Sequence, residues 1–246
     1  MPYPISDRRR AQPVWDIDVL SGTWPRRRTK HELSLPELMA RVPLAGATVG
    51  SLRAALFDAE GGNRSLVEEV RADPRLAATF TVDLRNPLNL PEEIERARER
   101  GVRVLRLFPA WQEVGPSFPA LTYTLRAAAE AGLSVLMDGE MREYHSAIRG
   151  LGLDIVFLDV HAYHVADFIL LGRQEPTVRV STRLLNGPDS IARVVGELGA
   201  HRVLFGSRGP VYWTLPPLRS LQCNPISDEE YAAVAHDNAA QMAGAR

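Results

Sequence analysis

Ionisable side chains stand in groups along this sequence, and each group follows a short apolar run. The acidic members are Asp16 and Asp18 near the N-terminus and Asp138 and Glu140 in the middle, and His161 follows the next run. Carboxylates and an imidazole can exchange protons with a substrate, so we predict Asp18, Asp138, Glu140 and His161 as catalytic candidates. The same set could hold Mg²⁺ or Mn²⁺. The alternative, which we favour, is that the carboxylates form salt bridges with arginines.

Four arginines follow other apolar runs, namely Arg85, Arg106, Arg183 and Arg208. If they converge on one opening, their guanidinium groups would suit a small anion, because a guanidinium binds a carboxylate through two parallel hydrogen bonds. The alternative is that each arginine pairs with a nearby acid. Together with Tyr163, these arginines form the predicted substrate-binding set.

These side chains need a scaffold that gathers them, and the hydrophobic pattern indicates one. Short β-branched runs alternate with longer helical patterns, several of which end at a glycine such as Gly101, Gly132 or Gly199. Helical crossovers are what parallel strands require between them. Eight strands are predicted: residues 14–20, 47–52, 77–82, 102–107, 133–137, 155–160, 177–181 and 202–205.

Eight parallel strands joined by helices predict an α/β fold of the (β/α)8 TIM-barrel type, whose usual length matches 246 residues. In such barrels the chemistry takes place at the C-terminal ends of the strands, where the ionisable residues stand. An open doubly wound sheet is the alternative, but no Gly-x-Gly-x-x-Gly turn follows the first strand. Residues 1–246 are predicted to form one domain, with residues 1–12 as a flexible tail.

The composition excludes several classes of protein. The formal net charge is −1, so no overall field attracts nucleic acid or an anionic membrane. No apolar run approaches the roughly 18 residues that a membrane-spanning helix needs. Cys223 is the only cysteine, which rules out an internal disulfide and indicates a reducing compartment. Because residues 1–12 lack the apolar stretch of a signal peptide, we predict a cytoplasmic location.

Four stretches resemble the amidohydrolase superfamily, the metal-dependent hydrolase group of TIM barrels. Residues 16–25, DIDVLSGTWP, resemble the family's first strand, Asp-x-His-x-His-x-Gly, and residues 106–109, RLFP, resemble the turn after its fourth strand. Residues 203–210, VLFGSRGP, resemble its Phe-Gly-Ser-Asp-x-Pro signature, and residues 238–239 resemble its C-terminal Asn-Ala. Because these pieces occur in order over nearly the whole chain, they favour the same barrel.

The resemblance implies a divalent metal held by histidines of strands one, five and six and by an aspartate of strand eight. The matching positions of this sequence hold Asp18 and Leu20, Asp138 or Glu140, His161 and Arg208. A leucine cannot ligate a metal, and a guanidinium about 4 Å away repels a cation by roughly 4 kcal/mol per charge pair in a medium of intermediate polarity. We therefore expect a degenerate metal site and no cofactor. If a divalent metal (Zn, Mn or Mg) binds, its predicted ligands are Asp18, Glu140 and His161.

The resemblance further implies a hydrolase, or a lyase of the decarboxylase type, that acts on a small anionic molecule. The density of ionisable groups at the strand ends favours an enzyme. The alternative is a catalytically inactive barrel that binds or scaffolds, which the changes at Leu20 and Arg208 favour. The expected partner is a small-molecule ligand, and neither nucleic acid nor a membrane is expected. Barrels of this kind commonly self-associate, so we keep a homo-oligomer as an alternative to a monomer.

Overall fold

The computed structural model describes residues 5–25 and 34–245, and parallel β-strands form its centre. The strands are β1 Trp15–Ser21, β2 Gly46–Ser51, β3 Leu76–Ala78, β4 Phe80–Thr81, β5 Val104–Leu107, β6 Ser134–Met137, β7 Ile155–Phe157, β8 Val178–Ser181 and β9 Val203–Leu204. They pair in parallel in two runs, β1–β2–β3 and β4 through β9 in sequence order.

The third predicted strand, residues 77–82, is divided into β3 and β4. Strand β3 pairs with β2, whereas β4 pairs with β5. Thr79 lies between them, and its backbone N donates a hydrogen bond to the backbone O of Val49 at 2.8 Å. The two short strands therefore occupy one strand position of the predicted barrel and join the two runs.

Strand β1 also contacts the chain that follows β9. The backbone N of Ile17 donates to the O of Phe205 at 2.9 Å, and the N of Leu20 donates to the O of Gly209 at 2.8 Å. Val19 and Gly209 form a parallel bridge. The first and last strand positions are thus neighbours, as in a (β/α)8 barrel and unlike an open sheet, so the TIM-barrel prediction is confirmed.

Helices cover the outside of the strands. They are α1 Asp7–Ala11, α2 Leu35–Arg41, α3 Leu52–Leu56, α4 Ala59–Val70, α5 Leu90–Glu99, α6 Pro119–Glu130, α7 Met141–Ile148, α8 Val165–Gln174, α9 Ser190–Leu198, α10 Leu215–Gln222, α11 Asp228–Ala232 and α12 Asn238–Ala243. The π-helical segment Ala233–Asp237 joins α11 to α12. In residues 5–25 and 34–245, no helix has both the length and the apolar character needed to cross a membrane.

The ends of the helices follow local capping chemistry. Ser34 and Glu37 form a capping box at the start of α2, because the Ser34 N donates to Glu37 Oε2 at 2.9 Å and Ser34 Oγ accepts from the Glu37 N. Asp58 caps the start of α4, since its Oδ1 accepts from the Gly61 N at 2.9 Å.

The N-terminal segment differs from the flexible tail predicted for residues 1–12. Residues 1–4 lie outside the described part of the chain, and residues 7–11 form α1. The Arg9 side chain reaches the loop before α11, where its Nε lies 3.0 Å from Asp228 Oδ1. Its Nη1 donates to the backbone O of Gln222 and Asn224 at 3.1 and 2.8 Å, and its Nη2 donates to the O of Ile226. One mostly buried side chain therefore links α1 to the segment between α10 and α11.

Replacing Arg9 by methionine should lower the free energy of unfolding by about 2–4 kcal/mol. The change leaves several backbone carbonyls without a donor. A hydrogen bond to a charged group contributes about 1.5–3 kcal/mol net, and water replaces part of this at a partly exposed position. Urea unfolding followed by circular dichroism measures the loss. Arg10→Met is the matched control, because the Arg10 side chain is half exposed and lies 4.0 Å from Asp7; equal losses in both variants would contradict this role of Arg9.

Candidate functional site

The inside of the barrel is built in layers. A lower apolar layer contains Ile17, Val104, Leu136, Val156 and Leu204. Side chains alternate along a strand, so the residue two positions further on points into the barrel one level higher. That next level holds Arg106 above Val104 and Asp138 above Leu136. Arg208 reaches the same level from the loop after β9, where its Nη2 lies 2.8 Å from Asp138 Oδ2. The strand pattern therefore places charged groups inside the barrel at its C-terminal end.

An irregularity in β1 adds Asp18 to this charged level. Asp16 pairs with Ala47 and Val19 pairs with Val49, so Ile17 and Asp18 together face the single residue Thr48. Such a bulge shifts the alternation by one residue and redirects the side chains that follow. Asp18 is fully buried as a result.

Arg106 connects two carboxylates at this level. Its Nη2 lies 2.9 Å from Asp18 Oδ1 and 2.6 Å from Asp138 Oδ1. All three side chains are at most 2% exposed. The interpretation that these carboxylates pair with arginines is therefore confirmed for Asp18 and Asp138.

Arg208 extends the network toward the solvent. Its Nη2 lies 2.8 Å from Asp138 Oδ2 and 3.2 Å from Asp159 Oδ1, and its Nε lies 3.4 Å from Asp18 Oδ2. Arg183 pairs with Asp159 through Nη2, and its Nε lies 3.9 Å from Asp18 Oδ2. We call this set the arginine–aspartate cluster; its members are Asp18, Asp138, Asp159, Arg106, Arg183 and Arg208.

Strand ends and their loops hold the cluster members in place. Gly206 faces Asp18, and a Cβ at this position would lie 2.4 Å from Ser181 Oγ, so glycine gives the cluster its space. Arg208 follows with φ of 60°, a left-handed conformation that a residue other than glycine rarely adopts. Strain of this kind is characteristic of functional sites.

Burial and charge act against each other on the two inner carboxylates. Burial by itself raises the pKa of Asp18, but the attraction of Arg106 and Arg208, with Arg183, outweighs burial and holds the pKa below its usual value. For Asp138 burial wins over the same arginines, and its pKa is raised. Asp138 is thus the cluster member best suited to carry a proton.

Asp16 lies beside the cluster and anchors the loop that carries Arg208. Ser207 Oγ donates to Asp16 Oδ2 at 2.5 Å, and the backbone N atoms of Ser207 and Asp18 donate to Asp16 Oδ1. Ser207 Oγ also lies 3.1 Å from Thr214 Oγ1. Burial raises the pKa of Asp16 to about 7, against the opposing effect of the hydrogen bond from Ser207.

An upper apolar layer closes over the inner arginines. It contains Leu20, Leu52, Ala55 and Phe108, with Trp24, Leu56, Trp111 and Val211 packed against them. The guanidinium of Arg106 lies 4.7 Å from the Phe108 ring centre, and that of Arg208 lies 5.8 Å from the Trp111 ring centre. This layer excludes water from the inner half of the cluster.

Several buried donors and acceptors of the cluster lie outside hydrogen-bond geometry. Arg106 Nε, Arg183 Nε and Arg208 Nε have no acceptor in that geometry within the described residues, and Asp18 Oδ2, Asp138 Oδ1 and Oδ2 and Asp159 Oδ1 have no donor. A buried donor without an acceptor costs about 1–3 kcal/mol. The three Nε–H groups are therefore donors that an acceptor oxygen of a ligand could satisfy.

Several predicted site residues lie outside the cluster. Arg85 pairs instead with Asp83 on the surface, at 2.7 Å, so it does not converge with the other three arginines. Glu140 caps α7 and lies 3.3 Å from Arg142 Nε and 3.2 Å from His164 Nδ1.

The His161 ring stacks on Tyr163 with their centres 5.7 Å apart, and Tyr163 is 82% exposed. Both residues lie in the segment between β7 and α8, and their roles in catalysis and substrate binding stay predictions.

Asp159 is the cluster member that the sequence did not reveal. The predicted strand of residues 155–160 placed Asp159 inside a strand, whereas β7 ends at Phe157. A carboxylate at the end of an apolar run, two residues before His161, was the available signal. The Asp159 Oδ2 accepts a hydrogen bond from the Gly139 N at 2.9 Å, which fixes it beside Asp138.

Solved structures share this fold at low sequence identity. A 5-carboxyvanillate decarboxylase from Sphingomonas paucimobilis is 15% identical, with a TM-score of 0.69 over 96% of this chain and 100% of that chain. A 2,6-dihydroxybenzoate decarboxylase from Rhizobium is 12% identical, with a TM-score of 0.72 over 95% and 99%. A 5-carboxyvanillate decarboxylase from Novosphingobium aromaticivorans, complexed with manganese and 4-hydroxy-3-methoxy-5-nitrobenzoic acid, is 12% identical, with a TM-score of 0.74 over 99% of both chains.

The manganese bound in structures of this decarboxylase contradicts our expectation that no cofactor takes part, because these structures share the fold and hold a divalent metal. The side chains of this barrel do not fit that ion as they are arranged. The oxygens of Asp18 and Asp138 already face Arg106 at 2.9 and 2.6 Å. Within residues 5–25 and 34–245, no three His, Cys, Asp or Glu side chains are grouped as metal ligands.

The family of the chain follows from its match to a family model. Curated protein sequences give no significant match to the chain. The family model described as amidohydrolase, however, matches residues 21–244, which is most of the chain. These residues include every member of the arginine–aspartate cluster except Asp18. The chain therefore belongs to the amidohydrolase family.

Proposed function

We propose that this chain is a lyase of the decarboxylase type that binds a small carboxylic acid as its anion at the arginine–aspartate cluster. The unsatisfied buried N–H groups of Arg106, Arg183 and Arg208 carry the proposal. Guanidinium N–H groups bind carboxylate and phenolate oxygens through charge-assisted hydrogen bonds. Leu20 and Arg208 occupy two positions where the family resemblance implies metal ligands, so arginines take a larger part in anion binding here.

The cluster also contains a group that can supply a proton. Loss of carbon dioxide breaks a C–C bond and leaves an electron pair on carbon, which must take up a proton. Asp138 is buried beside Arg106 and Arg208, and its raised pKa favours the protonated form. After it has donated the proton, Asp138 is stabilised as a carboxylate by the same two arginines.

The upper apolar layer favours this reaction over hydrolysis. Phe108 and Trp111 stack on one another with ring centres 4.6 Å apart and cover the inner arginines. Decarboxylation needs no water at the reacting carbon, whereas hydrolysis needs an activated water molecule. An apolar cover also strengthens the electrostatic contacts beneath it.

The lone thiol Cys223 supports a reducing, cytoplasmic location as part of the same proposal.

Aromatic and aliphatic carboxylic acids, incubated with the protein in D₂O with and without added MnCl₂, test the proposal. We expect release of carbon dioxide and deuterium at the carbon that carried the carboxyl group, as measured by NMR. Asp138→Asn should lower kcat by about 10²–10⁴-fold, the usual contribution of a general acid. Arg85→Gln is the control and should leave kcat unchanged, since Arg85 lies on the surface.

The other outcomes of this assay separate the alternatives. Cleavage products formed without carbon dioxide would indicate a hydrolase. Acids that bind without any turnover would support the inactive binding protein. Full activity in Asp138→Asn would contradict the role of Asp138 as the proton donor.

A further inference from the structure

The outer edge of the arginine–aspartate cluster is formed by a carboxylate. The Asp159 side chain is 17% exposed, whereas those of Asp18 and Asp138 are at most 1% exposed. Arg183 and Arg208, the two arginines nearest the solvent, both contact Asp159 Oδ1. An anion that approaches these arginines from the solvent therefore meets Asp159 as well.

The charges of the cluster are balanced one for one. Its three guanidinium groups face three carboxylates, and each arginine lies within 4.0 Å of at least two of them. A proton on one inner carboxylate leaves a single positive charge, which matches one anionic group of a ligand. A second anionic group would have no unpaired cation in the cluster and would be repelled by Asp159.

We propose that Asp159 determines the charge of the ligand, so that the site accepts monocarboxylates and rejects dicarboxylates. This inference rests on the proposed function, because it presupposes that an anion binds at the cluster. Asp159 acts without contacting the reacting atoms, through its field and through its pairing with Arg183 and Arg208. Its position is fixed by the hydrogen bond from the Gly139 N, so it cannot turn away from the opening without losing that bond.

Tyr212 supports the same outer edge. Its ring lies 5.4 Å from the Arg183 guanidinium and is half exposed on the loop after β9. The Arg183 side chain is thus held between an aromatic face and the Asp159 carboxylate. Both contacts keep the guanidinium at the edge, where it is neutralised by Asp159 and offers no free charge to a second carboxylate.

Isothermal titration with benzoate and isophthalate, aromatic acids with one and two carboxylates, tests the inference. The unchanged protein should bind benzoate at least tenfold more tightly than isophthalate. Asp159→Asn should raise the affinity for benzoate about tenfold and that for isophthalate about a hundredfold, because the Coulomb energy doubles with the charge of the ligand. A purely structural role of Asp159 would not change the two affinities in this ratio.

Two further variants complete the experiment. Asp159→Glu keeps the charge and should keep the preference for benzoate. Asp154→Asn, at the opposite end of β7 beside Arg179, should change neither affinity. Equal binding of the two acids by the unchanged protein, or equal gains in Asp159→Asn, would overturn the inference and leave the proposed function standing. Binding of neither acid would overturn both.

Discussion

Replacing Arg106 by methionine should lower the free energy of unfolding by about 3–5 kcal/mol. The variant leaves Asp18 and Asp138 buried with one cation fewer, and an uncompensated buried charge destabilises a protein by about this amount. Methionine fills much of the same volume, so the loss reports charge more than packing. Chemical denaturation at neutral pH, followed by fluorescence and circular dichroism, measures it.

A second substitution distinguishes lost charge from lost packing. Arg106→Met combined with Asp18→Asn removes a charge of each sign, so the double variant should be more stable than the sum of the two single losses predicts. Arg85→Met is the surface control. Its exposed pair with Asp83 should contribute less than about 1 kcal/mol. If Arg85→Met and Arg106→Met lowered the free energy of unfolding by similar amounts, the burial of Arg106 with its carboxylates would not be the cause of the loss.

Replacing Asp16 by asparagine should stabilise the protein above neutral pH and leave it unchanged in acid. Folding raises the pKa of Asp16 from 3.8 to about 7, so between these values the folded protein binds more protons than the unfolded chain. The contribution of Asp16 to stability therefore falls as pH rises from about 4 to about 7. A shift of this size corresponds to about 4 kcal/mol.

The difference in unfolding free energy between Asp16→Asn and the unchanged protein, taken at two pH values, tests this prediction. Unfolding free energies at pH 4.5 and pH 8 should diverge by several kcal/mol in favour of Asp16→Asn, because asparagine keeps the shape and can still bond to Ser207. Asp7→Asn, at a fully exposed position, is the control for removal of a carboxylate. A pH-independent difference for Asp16→Asn would mean that Asp16 is ionised throughout.

The fold could be predicted from the sequence because its signals are local and repeated. Glycines such as Gly101 and Gly132 end helices at regular intervals, and apolar runs between them give strand positions that the structure contains. The division of the third strand at Thr79 could not be predicted in this way. It depends on hydrogen bonds to β2 on one side and β5 on the other, and pairing partners are not local properties.

The site was predictable in its composition but not in its pairing. Asp18, Asp138, Arg106, Arg183 and Arg208 all follow apolar runs, and the structure brings them together.

Arg85 follows such a run as well, but it forms an ion pair with Asp83, two residues before it in sequence. Asp159 was missed because the predicted strand of residues 155–160 is three residues longer than β7. The prediction therefore placed Asp159 within the strand and not in the loop after it. The register of a strand end decides which side chains meet, and that register is set by tertiary contacts.

The left-handed backbone at residue 208 carries an implication for substitution at this position. Short polar side chains, aspartate and asparagine among them, adopt this conformation more readily than arginine does. The loop therefore has a shape that suits the aspartate of the signature that residues 203–210 resemble, although it presents a side chain of opposite charge. Arg208→Asp would meet little resistance from the main chain, so the cost of the exchange would lie almost wholly in the neighbouring charges.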